Sequence, residues 1–339
     1  MRKFALLCFA LAFSFLLKFG IKNDAALYTV VARNMAEFGH WWPLQFSPYL
    51  FNQFYEHPPL FLWIMGLWSK ILPNELASDF FTVLSSVPSR LCAFATLFLG
   101  TRFFFKFYTK AHAFCFIAFC ASWITWLKYA TSAQLDAPLG TCFILLIIYL
   151  LIKIKQNEDF KFLTISAILF FALQIKGAAA FGALVIPALF SFYFFKDKQR
   201  FKKNMLIGVL TPCFALMNFI LFFLLFDLVA ESTFSVTYFS RIFNWAFFAS
   251  GSDLSSSESF QWLNLFGQIG QYFRLEIKHA ILWTLPLWGI LFYRIALFFR
   301  RRNLTYIDFT LLSFVALNIA YIFAKAKMPH WGNATYPVG

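Results

Sequence analysis

Pro58-Pro59-Leu60-Phe61-Leu62-Trp63-Ile64-Met65-Gly66-Leu67-Trp68-Ser69-Lys70-Ile71-Leu72 decides how this chain is threaded. The run is apolar, but it falls short of the roughly 20 helical residues that cross a bilayer, and Lys70 stands inside it. Read as a span, it would turn every later loop to the opposite side and put the basic runs Lys196 to Lys203 and Arg300 to Arg302 outside. Bases concentrate on the cytoplasmic side of membrane proteins. We therefore read residues 58–72 as an amphipathic helix lying on, or dipping into, the outer surface.

That choice fixes the rest of the topology. With 61% hydrophobic, 22% aromatic and only 13% charged residues, the chain has too much apolar surface for one soluble core. Apolar runs long enough to cross a bilayer occur near 4–20, 82–105, 111–130, 138–153, 162–175, 178–195, 204–226, 280–299 and 306–324. The expected fold class is therefore all-α: a polytopic membrane protein of nine transmembrane helices, forming one domain over residues 1–339. Arg2-Lys3 precede the first run, and no small-x-small cleavage pattern follows Lys18-Phe19-Gly20, so the run reads as an uncleaved anchor. Two long outer loops are expected at 21–81 and 227–279; the Ser-rich piece from Ser250 to Ser259 has the composition of a mobile segment.

The formal charge of +14 needs no nucleic acid. The short inner segments, from Arg2-Lys3 through Arg294 to Asp308, hold 17 of the 29 Lys and Arg residues and 4 of the 15 acids, a balance of +13 that leaves the outer side near +1. This is the positive-inside asymmetry. All six cysteines fall inside the apolar runs with no C-x-x-C pair, so they read as small packing residues, and no disulfide framework is indicated.

With this topology, Asp24, Glu56, His57, Asp136, Lys176, Arg241, Lys325 and His330 all face the outer side. One site is expected there. Asp24 opens a helix over 24–38 that carries Leu27, Val30, Val31, Met35 and Phe38 on one face and stops at Gly39; its carboxylate is a helix-start cap or a functional acid. Asp136, in Gln134-Leu-Asp-Ala-Pro138, sits at the mouth of a helix that Pro138 enters in its first turn. An acid at membrane depth is costly unless paired or hydrated, which raises the weight of a functional reading. Lys176 interrupts the apolar stretch 162–195, either snorkelling to the interface or reaching a lipid phosphate. His57 precedes Pro58-Pro59, which stiffens the backbone before it. Lys325, Lys327, His330 and Trp331 close the set, as interface anchors or as ligand contacts. No two histidines stand at helical metal spacing; no cofactor is called for, and a divalent metal stays open without named ligands.

Five islands on this face resemble the GT-C glycosyltransferases that take sugars from polyprenyl-phosphate carriers, similar to protein O-mannosyltransferases and lipid A aminoarabinose transferases. They are Asp24-Ala-Ala-Leu-Tyr28 with Ala32-Arg33 and Gly39; Tyr55-Glu-His-Pro-Pro-Leu60; Gln134-Leu-Asp-Ala-Pro-Leu139; Ile175-Lys-Gly177; and Lys325-Ala-Lys-Met-Pro-His-Trp331 with Pro337. The resemblance implies a GT-C helical bundle in the bacterial inner membrane, with its active site on the periplasmic side. It implies inverting transfer from a polyprenyl-phosphate-linked donor to a glycolipid or protein acceptor. Asp24 and then Asp136 would be the catalytic acids; His57, Lys176, Lys325, Lys327 and Arg241 would bind the donor phosphate; Tyr28, Glu56 and His330 would position substrate. Where many relatives carry Asp-Glu this chain has Asp24-Ala25, and where the aminoarabinose transferases carry Lys it has His57. The resemblance also implies further helices, and often a periplasmic domain, beyond Gly339. Two other classes remain: a transporter or flippase, which calls for ionisable groups near mid-bilayer, and an assembly subunit with a vestigial site.

Overall fold

The computed structural model describes residues 23–45, 54, 57–72, 84–122 and 132–247, with isolated positions between 289 and 308. All regular structure among them is helical. The expected span 4–20, nearly all of 280–299 and 306–324, the Ser-rich stretch, and the candidates Glu56, Lys325, Lys327 and His330 lie outside the described residues.

Helix α1 runs Asn23–Phe38. It ends where Gly39 adopts φ +74° and its N–H donates to the Met35 carbonyl at 3.1 Å, a left-handed stop that glycine reaches without steric cost. Its buried stripe is Ala25, Tyr28, Val31, Ala32 and Met35. The apolar face expected from the sequence is rotated: Val30 is 40% and Phe38 55% exposed. Ala25 and Ala32 take inner positions instead. Helix α2, Pro59–Ile71, packs closely against α1; at Gly66 an added Cβ would come within 3.1 Å of Met35 Cε. Helix α2 is the 13-residue element read as interfacial, and Pro59 stands at its first position, where the missing N–H costs nothing.

Helices α3 (Val87–Phe107) and α4 (Lys110–Ser122) follow as a close pair. Then come α5 (Asp136–Lys155) and α6 (Phe162–Lys176), with α6 lying between α5 and the long α9 (Lys198–Ala230). Two helices, α5 and α9, are long and apolar enough to cross a membrane. At 1.5 Å per residue the 33 residues of α9 extend about 50 Å, well beyond a hydrocarbon core of about 30 Å.

Residues 178–195, expected as one span, are instead broken. A 3₁₀ turn at Gly177–Ala180, α7 (Phe181–Leu184), α8 (Ile186–Ser191) and a second 3₁₀ turn at Phe192–Phe194 replace it. Gly177 enters with φ +49°, and Pro187 at the start of α8 removes a backbone donor. Apolar composition alone did not reveal the interruption. The chain nevertheless returns to the opposite end of the bundle: Phe194 packs on Phe160, ring centroids 5.7 Å apart, and Arg200 lies over the Phe194 ring at 4.6 Å.

That far end is a polar knot. Asp159 accepts from Arg200 Nε at 3.2 Å and Lys203 Nζ at 2.7 Å, and contacts with Lys203 first, then Arg200 and Asn204, hold its carboxyl below the usual range against the opposing effect of burial. Helix α9 begins there under an Asp197 cap that accepts from the Arg200 amide at 3.1 Å. The last described helix, α10 (Phe234–Phe247), packs against α9 at its other end.

Candidate functional site

Four of the chemistry-bearing segments meet at the end of the bundle away from that knot. Asp136 is the first residue of α5 and Lys176 the last of α6, and because the two helices run antiparallel as packed neighbours these positions come together. Lys176 Nζ donates to Asp136 Oδ1 at 2.6 Å. Both side chains keep some solvent contact, 19% for the lysine and 34% for the aspartate. A partly solvated pair of this kind contributes about 0–1 kcal/mol, less than the about 1.5–3 kcal/mol of a hydrogen bond to a charged group in a shielded site. The ammonium is therefore held in place without being locked, and it can be shared with an incoming anion.

His57 sits beside this pair, in the extended segment that Pro58 (φ −61°, ψ 154°) leads into α2. Its Nε2 is 2.7 Å from the Tyr28 hydroxyl of α1, and the two rings meet edge-on with centroids 5.2 Å apart. Burial, and secondarily the Lys176 charge, push the imidazole down to about 3. The site thus favours the neutral form of His57, which can hydrogen-bond to a ligand but brings it no positive charge. In a neutral ring one nitrogen donates and the other accepts. With Nε2 engaged by Tyr28, Nδ1 is sealed from solvent and has no partner among the described residues.

The Lys176-Gly177 turn packs against the His57-Pro58 segment. A Cβ at Gly177 would lie 3.5 Å from Pro58 Cγ and 2.3 Å from the hydroxyl of Tyr238, which reaches in from α10. Only glycine accommodates both the φ of +49° and that approach. Tyr238 is 1% exposed, stacked on Phe223 at 4.8 Å and nearly parallel to Phe234. Sequence reading missed it; Tyr238 stands three residues before the candidate Arg241, and no local pattern ties residue 238 to residue 177.

Of the other candidates, Asp24 is the second residue of α1 and Arg241 lies within α10; for both, only the backbone is described. Tyr28 is brought to His57, and Asp136 to Lys176. Asp136 has one oxygen committed to the lysine, which suits it to orienting the ammonium. Among the described residues no group of three or more His, Cys, Asp or Glu stands close enough to hold a metal ion. Near the same end, Gln174 is completely buried with neither amide atom partnered among the described residues, and Asp227 accepts from Trp42 Nε1 at 3.0 Å and from the Ser235 amide at 2.6 Å, fastening the 41–44 turn and α10 to α9.

The arrangement offers an ammonium oriented at a helix end, a neutral imidazole with one nitrogen unpartnered among the described residues, and two phenols. Such a set suits recognition of a singly charged oxyanion more than metal chemistry or a nucleophilic triad. No family model, curated protein or solved structure matches the chain.

Proposed function

We propose that this chain is a GT-C-type glycosyltransferase of the bacterial inner membrane, with nine membrane spans, that moves a sugar from a polyprenyl-phosphate carrier to a glycolipid, another envelope glycan or a protein on the extracytoplasmic face. One observation carries the reading. The Asp136–Lys176 pair lies beside the His57–Tyr28 pair, so residues from four of the five resembling islands, far apart in sequence, share one end of the bundle. Asp136 and Lys176 stand at helix ends, which favours this class over a transporter, whose coupling groups belong near mid-bilayer.

The chemistry follows from these groups. The acceptor oxygen attacks the anomeric carbon from the face opposite the carrier, and the bond between that carbon and the phosphate oxygen breaks with its electron pair leaving on the phosphate. Configuration inverts. Lys176, aimed by Asp136, meets the charge that develops on the departing phosphate. Asp24 takes the proton that the acceptor hydroxyl loses, a contribution of about 10²–10⁴-fold; with a phosphate acceptor no base is needed and Asp24 orients the sugar. Lys325, Lys327 and Arg241 add positive charge around the carrier, and Tyr28, Glu56 and His330 position substrate.

Mass spectrometry of envelope glycolipids and glycoproteins from cells with and without the intact gene tests this. One glycan modification should vanish on deletion and return with the wild-type gene. Complementation with Asp24→Asn, which keeps helix-start hydrogen bonding, should lower the modification rate by about 10²-fold for a hydroxyl acceptor. An unchanged glycan profile on deletion would remove the enzyme reading.

A further inference from the structure

The Tyr238 hydroxyl is the most unusual polar group at this end of the bundle. Its ring is enclosed by Phe223, Phe234 and Phe239, a setting in which phenylalanine would pack equally well. The hydroxyl makes no hydrogen bond with any described residue, and burial alone raises its ionisation range, so it stays a protonated donor. Its direction is specific: it fills the place that a side chain on Gly177 would take, next to the residue that carries the ammonium and 61 residues away in sequence.

A buried imidazole lies near the same contact. His57 Nδ1 is sealed and unpartnered among the described residues, one residue before Pro58, which touches the same point on Gly177. A sealed imidazole nitrogen from the segment before α2 and a phenol from α10 thus come to the Lys176-Gly177 turn. Lys176 itself is already offset by Asp136. A phosphodiester monoanion, with more acceptor oxygens than one shared ammonium satisfies, needs neutral donors to complete its shell, and hydrogen bonds to ionised oxygens are the strongest that a phenol can give.

We infer that Tyr238 is a ligand-binding residue whose hydroxyl donates to a phosphate oxygen of the anion held by Lys176. This rests on the carrier-phosphate reading above and adds a residue to it from α10. Tyr238→Phe keeps the aromatic stack and removes only the donor, so the full-length protein should show an unchanged or higher thermal midpoint. Its affinity for a polyprenyl phosphate, measured by calorimetry in detergent, should fall about 10-fold or more, with no change for the uncharged polyprenol. Wild-type protein that binds the phosphate while Tyr238→Phe binds it equally well overturns the inference and leaves the carrier reading standing. A deficit seen only with the sugar-bearing donor overturns the phosphate assignment in favour of a sugar contact. Wild-type protein that prefers neither phosphate nor sugar-phosphate over polyprenol removes the carrier reading, and the inference with it.

Discussion

At the scale of single residues, the neutral His57 has a measurable signature. Its folded-state value, pushed down to about 3, lies below the roughly 6.5 of an unfolded chain, so between these limits the unfolded state binds more protons. Stability contributed by the neutral ring is complete above about pH 6.5 and is lost as pH falls toward about 3. Thermal midpoints of wild type and His57→Asn should therefore converge on acidification, the wild type losing more over that window; parallel curves would mean that the ring is solvated. Comparing the two variants at each pH cancels the acidic groups common to both, including Asp159. The position of His57 before Pro58-Pro59 was legible in the sequence, and so was its grouping with Tyr28, Asp136 and Lys176. Its charge state was not, because desolvation depends on Tyr28 and on the Lys176 turn, which only the fold brings near.

Among the helices, what held and what failed follow the same division. Gly39, Pro59 and Pro138 mark boundaries through local backbone chemistry, and the helices start or stop within a few residues of them. The break within 178–195 depends instead on packing of α8 against α9. A Cβ at Gly208 would lie 2.8 Å from the Ala188 nitrogen and 2.9 Å from the Pro187 carbonyl carbon, both backbone atoms that cannot turn aside. Gly208→Ala should cost about 1–3 kcal/mol by overpacking, seen as a lower denaturation midpoint in detergent; Gly140→Ala, where an added Cβ meets nothing within 4 Å, is the matched control. Equal midpoints would show that α8 does not seat on α9. The rotated face of α1 also depends on tertiary packing: hydrophobicity favoured Val30 and Phe38, whereas the buried stripe takes in Ala25 and Ala32.

For the whole molecule, all-helical architecture and an apolar chain with basic clusters followed from composition and charge, and α5 and α9 meet the length and polarity that spanning requires. The structure separates the ends of the bundle, with Asp159, Arg200 and Lys203 at one and Asp136, Lys176 and Tyr238 at the other. In a cysteine-free background, Glu231→Cys, exposed at the end of α9 nearer the site, should react with an impermeant thiol reagent added from outside, and Gln199→Cys should not; the reverse pattern would invert the topology and make residues 58–72 a true span. The central claim is that the Asp136–Lys176 pair serves carrier-linked sugar transfer, and release of free polyprenyl phosphate from a labelled polyprenyl-phosphate sugar by the purified full-length protein measures it most directly. The account predicts turnover by the wild type, a loss of about 10–100-fold in Lys176→Ala from removal of a contact worth about 1.5–3 kcal/mol, and partial recovery in Lys176→Arg; undiminished turnover in well-folded Lys176→Ala would contradict it.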